Sequence, residues 1–404
     1  MSPARTLLIT PRDPLIFRDG RPFDSALTSY ISVYRWPPPS VTAGALRTAL
    51  GRQDNCLHDP ESRRTLNQVD IRGPLPYTDH ELYVPAPLDC WVSKSKDDLI
   101  GYALRPEYLG DDEGVDLYKD LSPLLPHPGH DEACVQGKPN HDLVWWPLKL
   151  MTEWLERNTP EPWKNRFGDC LEAFPLEERT HVAIDPKTGA AKTGQLFTTR
   201  AIDLRRAGHK SPIQLALHIE KYSQTALDGL ENTDIPLGAE RRTATLSSCN
   251  EQNLWSCPET IKTALSEKPR YVRMVLATPA IFKPGWRPDW IDPGTLTGKV
   301  PGTDVEVGLR AAAIGRWQPV SGWAYGKSDA RQKATRKMVP AGSVYFFEIK
   351  CGDVTKLADQ WLRPVCGRSV LDPESKLGAD GFGLALWGPG PEPKPKLIHN
   401  SGAS

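Results

Sequence analysis

Two arginines near the start of the chain could bind an anion. Arg18 and Arg21 stand on either side of Asp19-Gly20, a pair that predicts a turn because glycine tolerates positive φ and aspartate can bond its own backbone. Two guanidinium groups therefore project from one tight loop, which follows a first strand predicted within Leu7–Phe17. Their N–H donors match the geometry of a phosphate. The pattern indicates a phosphate site, or a structural turn whose arginines are only solvated.

A helix start follows this turn and could supply further donors. Pro37-Pro38-Pro39 stiffens the approach, and a helix is predicted from about Ala43 through Leu50 with Ser40 or Thr42 as its cap. Exposed amide groups at a helix start, beside arginines, suit a phosphate. The same residues are equally consistent with an ordinary strand–turn–helix.

The densest basic stretch of the protein lies in Gly322–Glu348. Five cations fall within eleven residues against a single acid, Asp329, and Trp323 and Tyr325 precede them. Basic residues interleaved with aromatic ones are typical of a track for single-stranded nucleic acid, with cations on phosphates and rings on bases. The alternative is a mobile basic loop without a partner. The five cations are Lys327, Arg331, Lys333, Arg336 and Lys337.

Arg179–Phe197 reads as a hairpin with a basic tip. His181–Ile184 alternates as a strand, the residues from Asp185 to Gly189 form a turn, and extended structure resumes near Phe197. Lys187 and Lys192 lie at the tip. From the residues alone, an ordinary hairpin that these lysines keep solvated is favoured.

A second arginine pair occurs in Pro236–Thr245. Glu240 can pair with Arg241 or with Arg242, which leaves the other guanidinium for a phosphate. A surface ion pair of no functional consequence is the alternative, and such pairs contribute only about 0–1 kcal/mol.

Hydrolytic and metal chemistry find weaker support. The three His-Asp dipeptides begin at His58, His130 and His141 and sit in proline-broken segments, whereas a metal phosphohydrolase needs its ligands on packed helices. No P-loop, G-x-S-x-G, H-E-x-x-H or GGDD sequence occurs. His181 is the one histidine placed to attempt RNA cleavage, and no second general acid stands near it in the sequence.

One array has a spacing that zinc could use. His127, His130, Cys134 and His141 form an H-x2-H-x3-C-x6-H pattern within an aperiodic insertion. Unclustered surface histidines are the more ordinary interpretation, so we expect no metal and no cofactor.

Composition bounds the class of protein. The 404 residues carry 50 Lys+Arg and 50 Asp+Glu, so any nucleic-acid partner must be recognised by local patches rather than by an overall basic field. Eight scattered cysteines without C-x-x-C pairs and a start without an apolar signal segment fit a reducing cytoplasm. No apolar run approaches the ~20 residues of a membrane span, so no membrane partner is expected.

The chain contains an internal repeat of its N-terminal pattern. Arg270–Thr278 reads as a strand, and ATPAIFKPG repeats the layout of ITPRDPLIF near the start. We therefore expect two related α/β units with a boundary near Pro269: a first domain at 1–269, a second at 270–390, and a disordered Pro/Lys tail at 391–404.

The run from ITPRDPLIFRDGRPF to WPPPSVTAGALRTALG resembles the N-terminus of the third subunit of type III-B CRISPR effector (Cmr) complexes, a RAMP-superfamily family. The hairpin at Arg179–Phe197 resembles the ID-x-x-T hairpin of RAMP backbone subunits, which implies a thumb that lies against the crRNA backbone. The family's LGGERR element (here with Ala239 in place of the second glycine) and its VPAGSVYFFE strand also have counterparts in this chain. The glycine-rich loop at Gly381–Gly388 also matches. The resemblance is weakest at 53–140 and 204–235, which we interpret as insertions of unknown role.

The resemblance implies an α+β fold of two tandem ferredoxin-like (RRM-like) RAMP domains with long insertions. It also implies a non-catalytic scaffold that holds the repeat-derived 5′ tag of the crRNA and docks the large Cas ten-type subunit and the first backbone RAMP subunit, with target RNA reached only indirectly. The residues expected to contact RNA are Arg18, Arg21, Ser40, Thr42, Gly44, Arg47, His181, Lys187, Lys192, Arg241, Arg242, Lys327, Arg331, Lys333, Arg336, Lys337, Gly381 and Gly383.

Three alternatives stay open. A crRNA-processing ribonuclease would depend on His181. A protein-only assembly subunit would bind the large subunit independently of RNA and salt. The equivalent subunit of a type III-A complex is the third, although the pairing of FRDGRPF with WPPPS argues against it.

Overall fold

The chain folds into a mixed α+β structure that is rich in strands, and this confirms the expected class at that level. The structure is a computed structural model, which describes residues 5–19, 31–95, 98–108, 115–119, 121–126, 139–156, 161–220, 222–324, 331–367 and 377–395. The helices are α1 (Pro39–Gln53), α2 (Pro60–Leu66), α3 (Leu148–Glu156), α4 (Gln224–Asp228) and α5 (Glu259–Ser266), and two 3-10 helices span Leu204–Arg206 and Val354–Gln360.

The strands are short and mostly antiparallel. Numbered in chain order, they are β1 (Arg5–Pro11), β2 (Ile71–Thr78), β3 (Glu81–Pro85), β4 (Cys90–Ser95), β5 (Asp98–Tyr108), β6 (Leu124–Pro126), β7 (Leu143–Pro147), β8 (Trp163–Lys164), β9 (Leu171–Glu172), β10 (Leu176–Ile184), β11 (Ala191–Ile202), β12 (Gln214–Ile219), β13 (Asp234–Pro236), β14 (Thr243–Cys249), β15 (Tyr271–Leu276), β16 (Thr297–Lys299), β17 (Glu306–Ala313), β18 (Gln318–Val320), β19 (Trp323–Ala324), β20 (Arg331–Gln332), β21 (Arg336–Met338), β22 (Val344–Cys351), β23 (Arg363–Pro364), β24 (Leu384–Pro389) and β25 (Lys394–Pro395).

The first large sheet has eight strands in the order β13-β14-β1-β12-β2-β3-β7-β9. Strand β1 lies inside it, where Leu7 pairs with Leu217 of β12 on one side and with Ser248 of β14 on the other. Helix α1 follows β1 and packs on β2 and β13. It buries Ala43, Leu46 and Leu50, which recur at helical spacing on one face.

Two of the stretches interpreted as insertions contain central strands of this sheet. Strand β2 lies within 53–140 and β12 lies within 204–235, and the two pair with each other. Every residue of β2 is buried, so its sequence lacks the apolar–polar alternation that marks a half-exposed strand. The interpretation of these stretches as insertions outside the core is wrong for both strands.

The second large sheet has six strands in the order β16-β17-β22-β15-β24-β23. Its first strand, β15, lies between β22 and β24. In both sheets the first strand therefore lies between the third and the last strand of a four-strand set, β14-β1-β12-β2 in one and β24-β15-β22-β17 in the other. Strands of the first sheet end at Cys249 and those of the second begin at Tyr271. The domain boundary near Pro269 stays a prediction.

Backbone and side chains join the two sheets directly. The N–H of Ile71 donates to the carbonyl of Ala379 at 3.0 Å. The guanidinium of Arg47 on α1 pairs with Asp380 and also donates to the carbonyls of Val69 and Ala379, at 2.8 and 2.9 Å. Buried side chains of the two sheets form one continuous apolar cluster.

Helix α1 and the tail differ from expectation. The helix begins at Pro39 with Pro38 as its N-cap residue and has no side-chain cap, so the prediction of Ser40 or Thr42 as the cap is wrong: proline at the first helical position needs no donor partner. In the segment expected to be a disordered tail, β25 pairs in parallel with β5. No helix among the described ranges is long and apolar enough to cross a membrane.

Candidate RNA interface

Three elements singled out in the sequence meet just beyond the end of β1. The N–H of Ala239, in the PLGAERR loop, donates to the carbonyl of Ile16 at 2.8 Å. Leu15 and Ile202, the last residue of the hairpin strand β11, exchange two backbone bonds of 2.8 and 2.7 Å. The start of the arginine turn, the base of the hairpin and the second arginine pair are therefore neighbours in space.

The PLGAERR loop approaches β1 so closely because of Gly238. This residue has a φ of +82°, and a Cβ there would lie 2.6 Å from the carbonyl oxygen of Ile16. A side chain would meet both a steric clash and a disfavoured backbone conformation. The close approach belongs to the first glycine of the motif, so Ala239 at the second position is compatible with it.

The structure decides which arginine Glu240 holds. Its carboxylate lies 3.4 Å from Arg242, whose side chain is only 12% exposed. Arg241 is exposed and has no hydrogen bond or ion pair with any residue that the structure describes. Both Glu240 and Arg241 have φ values near the left-handed region, 58° and 54°, a conformation that costs non-glycine residues about 1–3 kcal/mol. This turn presents Arg241 outward.

Sequence reasoning missed three more arginines at the same junction. Arg12 bonds Thr245 and pairs with Asp234 at 3.1 Å. Arg205 and Arg206 both pair with the buried carboxylate of Asp203, at 3.0 and 3.3 Å. All three arginine side chains are more than half exposed. The Arg205-Arg206 dipeptide that follows the hairpin was the signal available.

The carboxylate of Asp13 holds together the loops that meet beyond the end of β1. The N–H and the hydroxyl of Thr243 both donate to Asp13, at 3.0 and 2.9 Å. These two bonds, the backbone one first, lower the pKa of Asp13. An ionised Asp13 therefore ties the end of β1 to the start of β14 and keeps the arginine-bearing loops in place.

A second basic area forms around the short ladder of β18 and β21. Lys337 stands opposite Pro319, and its ammonium lies 5.2 Å from the ring centroid of Trp317. Lys333 and Arg336 are exposed beside it. Arg331 lies in β20, which pairs with β19.

Tyr34 connects the two basic areas. Its N–H donates to the carbonyl of Phe17 at 2.9 Å, next to Arg18. Its hydroxyl donates to the carbonyl of Pro319, directly across the ladder from Lys337. We call the combined area the basic face: Arg12, Arg18, Arg205, Arg206, Arg241, Lys333, Arg336 and Lys337.

Other predicted site residues lie elsewhere. Thr42 is buried and donates to the carbonyl of Pro39, and Arg47 is buried between the sheets. Gly381 and Gly383 are buried as well, and a Cβ on Gly381 would clash with the carbonyl of Gly73. The absence of a side chain at Gly381 lets the backbone of Gly73 approach closely. Ser40 is half-buried and Gly44 is exposed on α1.

The predicted hairpin is present as β10 and β11. Lys187 and Lys192 are exposed at its tip. His181 lies 2.8 Å from the hydroxyl of Thr199 and stacks on Phe197 at 5.2 Å between centroids. On the opposite face Val182, Ile184 and Leu196 are exposed.

Some of the predicted residues cannot be placed. Arg21, Lys327 and three members of the zinc array, His127, His130 and Cys134, lie outside the described residues. Within the described ranges, no three His, Cys, Asp or Glu side chains are grouped to hold a metal ion. The zinc array is therefore untested.

Comparison with known proteins places the chain among the CRISPR-associated proteins. Residues 7–390 match the family described as CRISPR-associated protein (Cas_Cmr3). Because the match covers nearly the whole sequence, the chain belongs to the Cas_Cmr3 family, and the resemblance seen in its motifs is confirmed. Among curated proteins, none matches the chain.

Chains in several solved structures resemble this chain at low sequence identity. A cryo-EM structure of a type III-B Cmr-beta complex bound to cognate target RNA contains a chain with 15% identity and a TM-score of 0.49, covering 94% of this chain and 95% of that one. A second Cmr-beta structure, with target RNA and AMPPnP, gives 16% identity, coverage of 85% and 86%, and a TM-score of 0.47. A chain in the crystal structure of a type III-A Csm3-Csm4 subcomplex has 10% identity and a TM-score of 0.37, and the match covers 86% of this chain and 94% of that one. The family assignment depends on the family match alone.

Proposed function

We propose that this protein is a non-catalytic scaffold subunit of a type III-B CRISPR effector complex and that its basic face holds the 5′ repeat-derived tag of the crRNA. Membership of the Cas_Cmr3 family supports a role in such a complex. The four-strand set within each large sheet, in which the first strand lies between the third and the last, supports two tandem ferredoxin-like units.

The convergence of separate basic segments carries the RNA-binding proposal. Cations come together from four parts of the chain, near residues 12–18, 205–206, 241 and 333–337. Leu15 and Ile16 bond the hairpin base and the Ala239 loop, Arg205 donates to the carbonyl of Arg12, and Tyr34 connects this area to the β18–β21 ladder. Arg241 is held outward while Glu240 binds Arg242. Since the whole chain is electrically neutral, a concentration of cations at one place favours a polyanion there.

Partners in the complex follow from the same family role. We propose that the large Cas ten-type subunit and the first backbone RAMP subunit dock on this chain. The three exposed apolar side chains on one face of the hairpin suit contact with a protein neighbour, because such groups gain by leaving water.

The test is binding of purified protein to synthetic crRNA with and without its 5′ tag, measured over a series of salt concentrations. We expect Arg241→Glu to weaken binding of tagged RNA and to reduce the salt slope by about one. Lys164→Glu is the matched control, since Lys164 is an exposed cation on β8, outside the basic face.

Three results would contradict the proposal. Equal binding of tagged and untagged RNA would remove the tag assignment. Equal behaviour of the Arg241 and Lys164 variants would remove the basic face. Cleavage of repeat RNA that disappears in His181→Ala would make the protein a processing ribonuclease.

A further inference from the structure

Trp317 is exposed, and no element of the described fold covers its ring. It is 51% exposed, whereas every other tryptophan whose burial the structure describes is buried or half-buried. A tryptophan offers a large apolar surface that stabilises a protein when it leaves water. An exposed ring of this size indicates a surface that something else covers.

Charge around Trp317 indicates what covers it. The two described segments that contain the strands of the ladder, 314–324 and 331–338, have no acidic residue. They contain five cations: Arg316, Arg331, Lys333, Arg336 and Lys337. Over the whole stretch 314–338 the sequence has six cations against one acid, Asp329. This excess of positive charge favours an anionic partner over a neutral one.

The ring itself is positioned beside one of those cations. The ammonium of Lys337 lies 5.2 Å from the centroid of Trp317, close enough for a cation–π contact. Lys337 is in turn held opposite Pro319 by the β18–β21 ladder. The ladder therefore presents an aromatic ring and an ammonium group side by side, the pair of groups that a nucleotide needs for its base and its phosphate.

We propose that Trp317 stacks on an unpaired base of single-stranded RNA while Lys337 and Arg336 contact the adjacent phosphates. This inference rests on the proposed function and adds a base contact to it. Tyr34 bonds both Pro319 of the ladder and Phe17 of the arginine turn, so the RNA that crosses the arginines continues onto the ladder. Stacking tolerates any base, so Trp317 fixes the path of the strand rather than its sequence.

Three variants test the base contact by fluorescence anisotropy with a labelled, tagged single-stranded RNA. We expect Trp317→Ala to weaken binding at least about five-fold without changing the salt slope, because stacking releases no counterions. Trp317→Phe should recover most of the loss. Tyr108→Ala is the matched control, since Tyr108 is equally exposed, at 52%, on the separate β4–β5 sheet.

A second measurement leaves the protein unaltered. RNAs carrying 5-iodouridine at single positions are photocrosslinked to the parent protein, and the attached peptides are identified by mass spectrometry. We expect one position to crosslink to the peptide containing Trp317. An abasic site at that position should remove the difference between the parent protein and Trp317→Ala.

The outcomes separate this inference from the proposed function. If the parent binds tagged RNA and Arg241→Glu weakens it, while Trp317→Ala binds as the parent does and no crosslink reaches Trp317, only the base contact is overturned. If Trp317→Ala retains RNA binding but loses a protein subunit, the partner is a protein and the inference is wrong. If the parent binds no RNA, both fail.

Discussion

Arg273 and Asp89 form a buried ion pair at the junction of the two sheets. An Nη1–Oδ2 distance of 2.8 Å separates them, and their side chains are 4% and 0% exposed. Trp154 on α3 donates its indole N–H to the other carboxylate oxygen at 2.9 Å and accepts a bond from Arg273 on its carbonyl. Asp89 follows β3 of the first sheet and Arg273 lies in β15 of the second, so this pair couples the two halves of the fold.

Loss of this carboxylate should destabilise the protein strongly. We expect Asp89→Ala to lower the free energy of unfolding by about 3–5 kcal/mol, because it leaves a buried guanidinium without its counter-charge. Urea denaturation measures this. The control is Asp304→Ala, which breaks the exposed pair with Lys356 and should cost no more than about 1 kcal/mol. Equal losses in the two variants would show that burial of the Asp89 pair has no special effect.

Arg47 should affect stability and leave RNA binding unchanged. Its guanidinium pairs with Asp380 and donates hydrogen bonds to two carbonyl groups between the sheets. Arg47→Ala removes these bonds and leaves the buried acceptors without a donor. We therefore expect the free energy of unfolding to fall by about 2–3 kcal/mol. The salt slope of RNA binding should match that of the parent protein. A lowered slope with unchanged stability would instead support the phosphate contact expected from the sequence.

Two glycines of the predicted site should respond in opposite directions to alanine. Gly44 lies in α1, and nothing within 4 Å would meet an added Cβ, so Gly44→Ala should stabilise the protein by about 0.5–1 kcal/mol through helix propensity. Gly381 has a φ of +94° and packs against the backbone of Gly73, so Gly381→Ala should destabilise it by at least about 2 kcal/mol. Thermal unfolding distinguishes them.

The same glycine pair tests the RNA assignment. If RNA backbone approaches Gly44 closely, Gly44→Ala will weaken binding of tagged RNA even though the protein is more stable. Unchanged affinity places α1 outside the RNA path.

Acidification should weaken the fold through His218. Burial first, and then the nearby charge of Arg72, lower the pKa of His218 to about 4 from an ordinary value of 6.5. The unfolded chain therefore binds this proton more readily than the folded one. The stability that neutral His218 confers is fully present above about pH 6.5 and is lost as the pH falls toward 4, with a slope of up to about 1.4 kcal/mol per pH unit.

His218→Gln should flatten the dependence of stability on pH in this window, because glutamine does not titrate. Melting temperatures measured at intervals from pH 7 to pH 4 would record it. His80→Gln is the control, since the His80 side chain is 86% exposed. A parent protein whose stability is constant across the window would rule out the role of His218.

Local elements could be predicted from the sequence because short-range rules govern them. The hairpin at β10 and β11 followed from alternation around a turn, and the repeat of the first strand at β15 followed from matching residues near 279–282. Family motifs identified the Cas_Cmr3 family. In contrast, the central position of β2 and β12 in the first sheet was not predicted, since strands that are almost wholly buried carry no clear alternation and β2 also contains Pro74 and Pro76.

The sequence determined which residues of this protein are basic and which motifs hold them. Only the tertiary structure decided which of those cations face outward. Both Arg47 and Arg241 are predicted from the sequence to contact RNA. Packing buries Arg47 beside Asp380, while the pairing of Glu240 with Arg242 leaves Arg241 exposed. The physical reason is that burial and counter-charges come from residues far along the chain, and their positions are fixed by how the two sheets pack together.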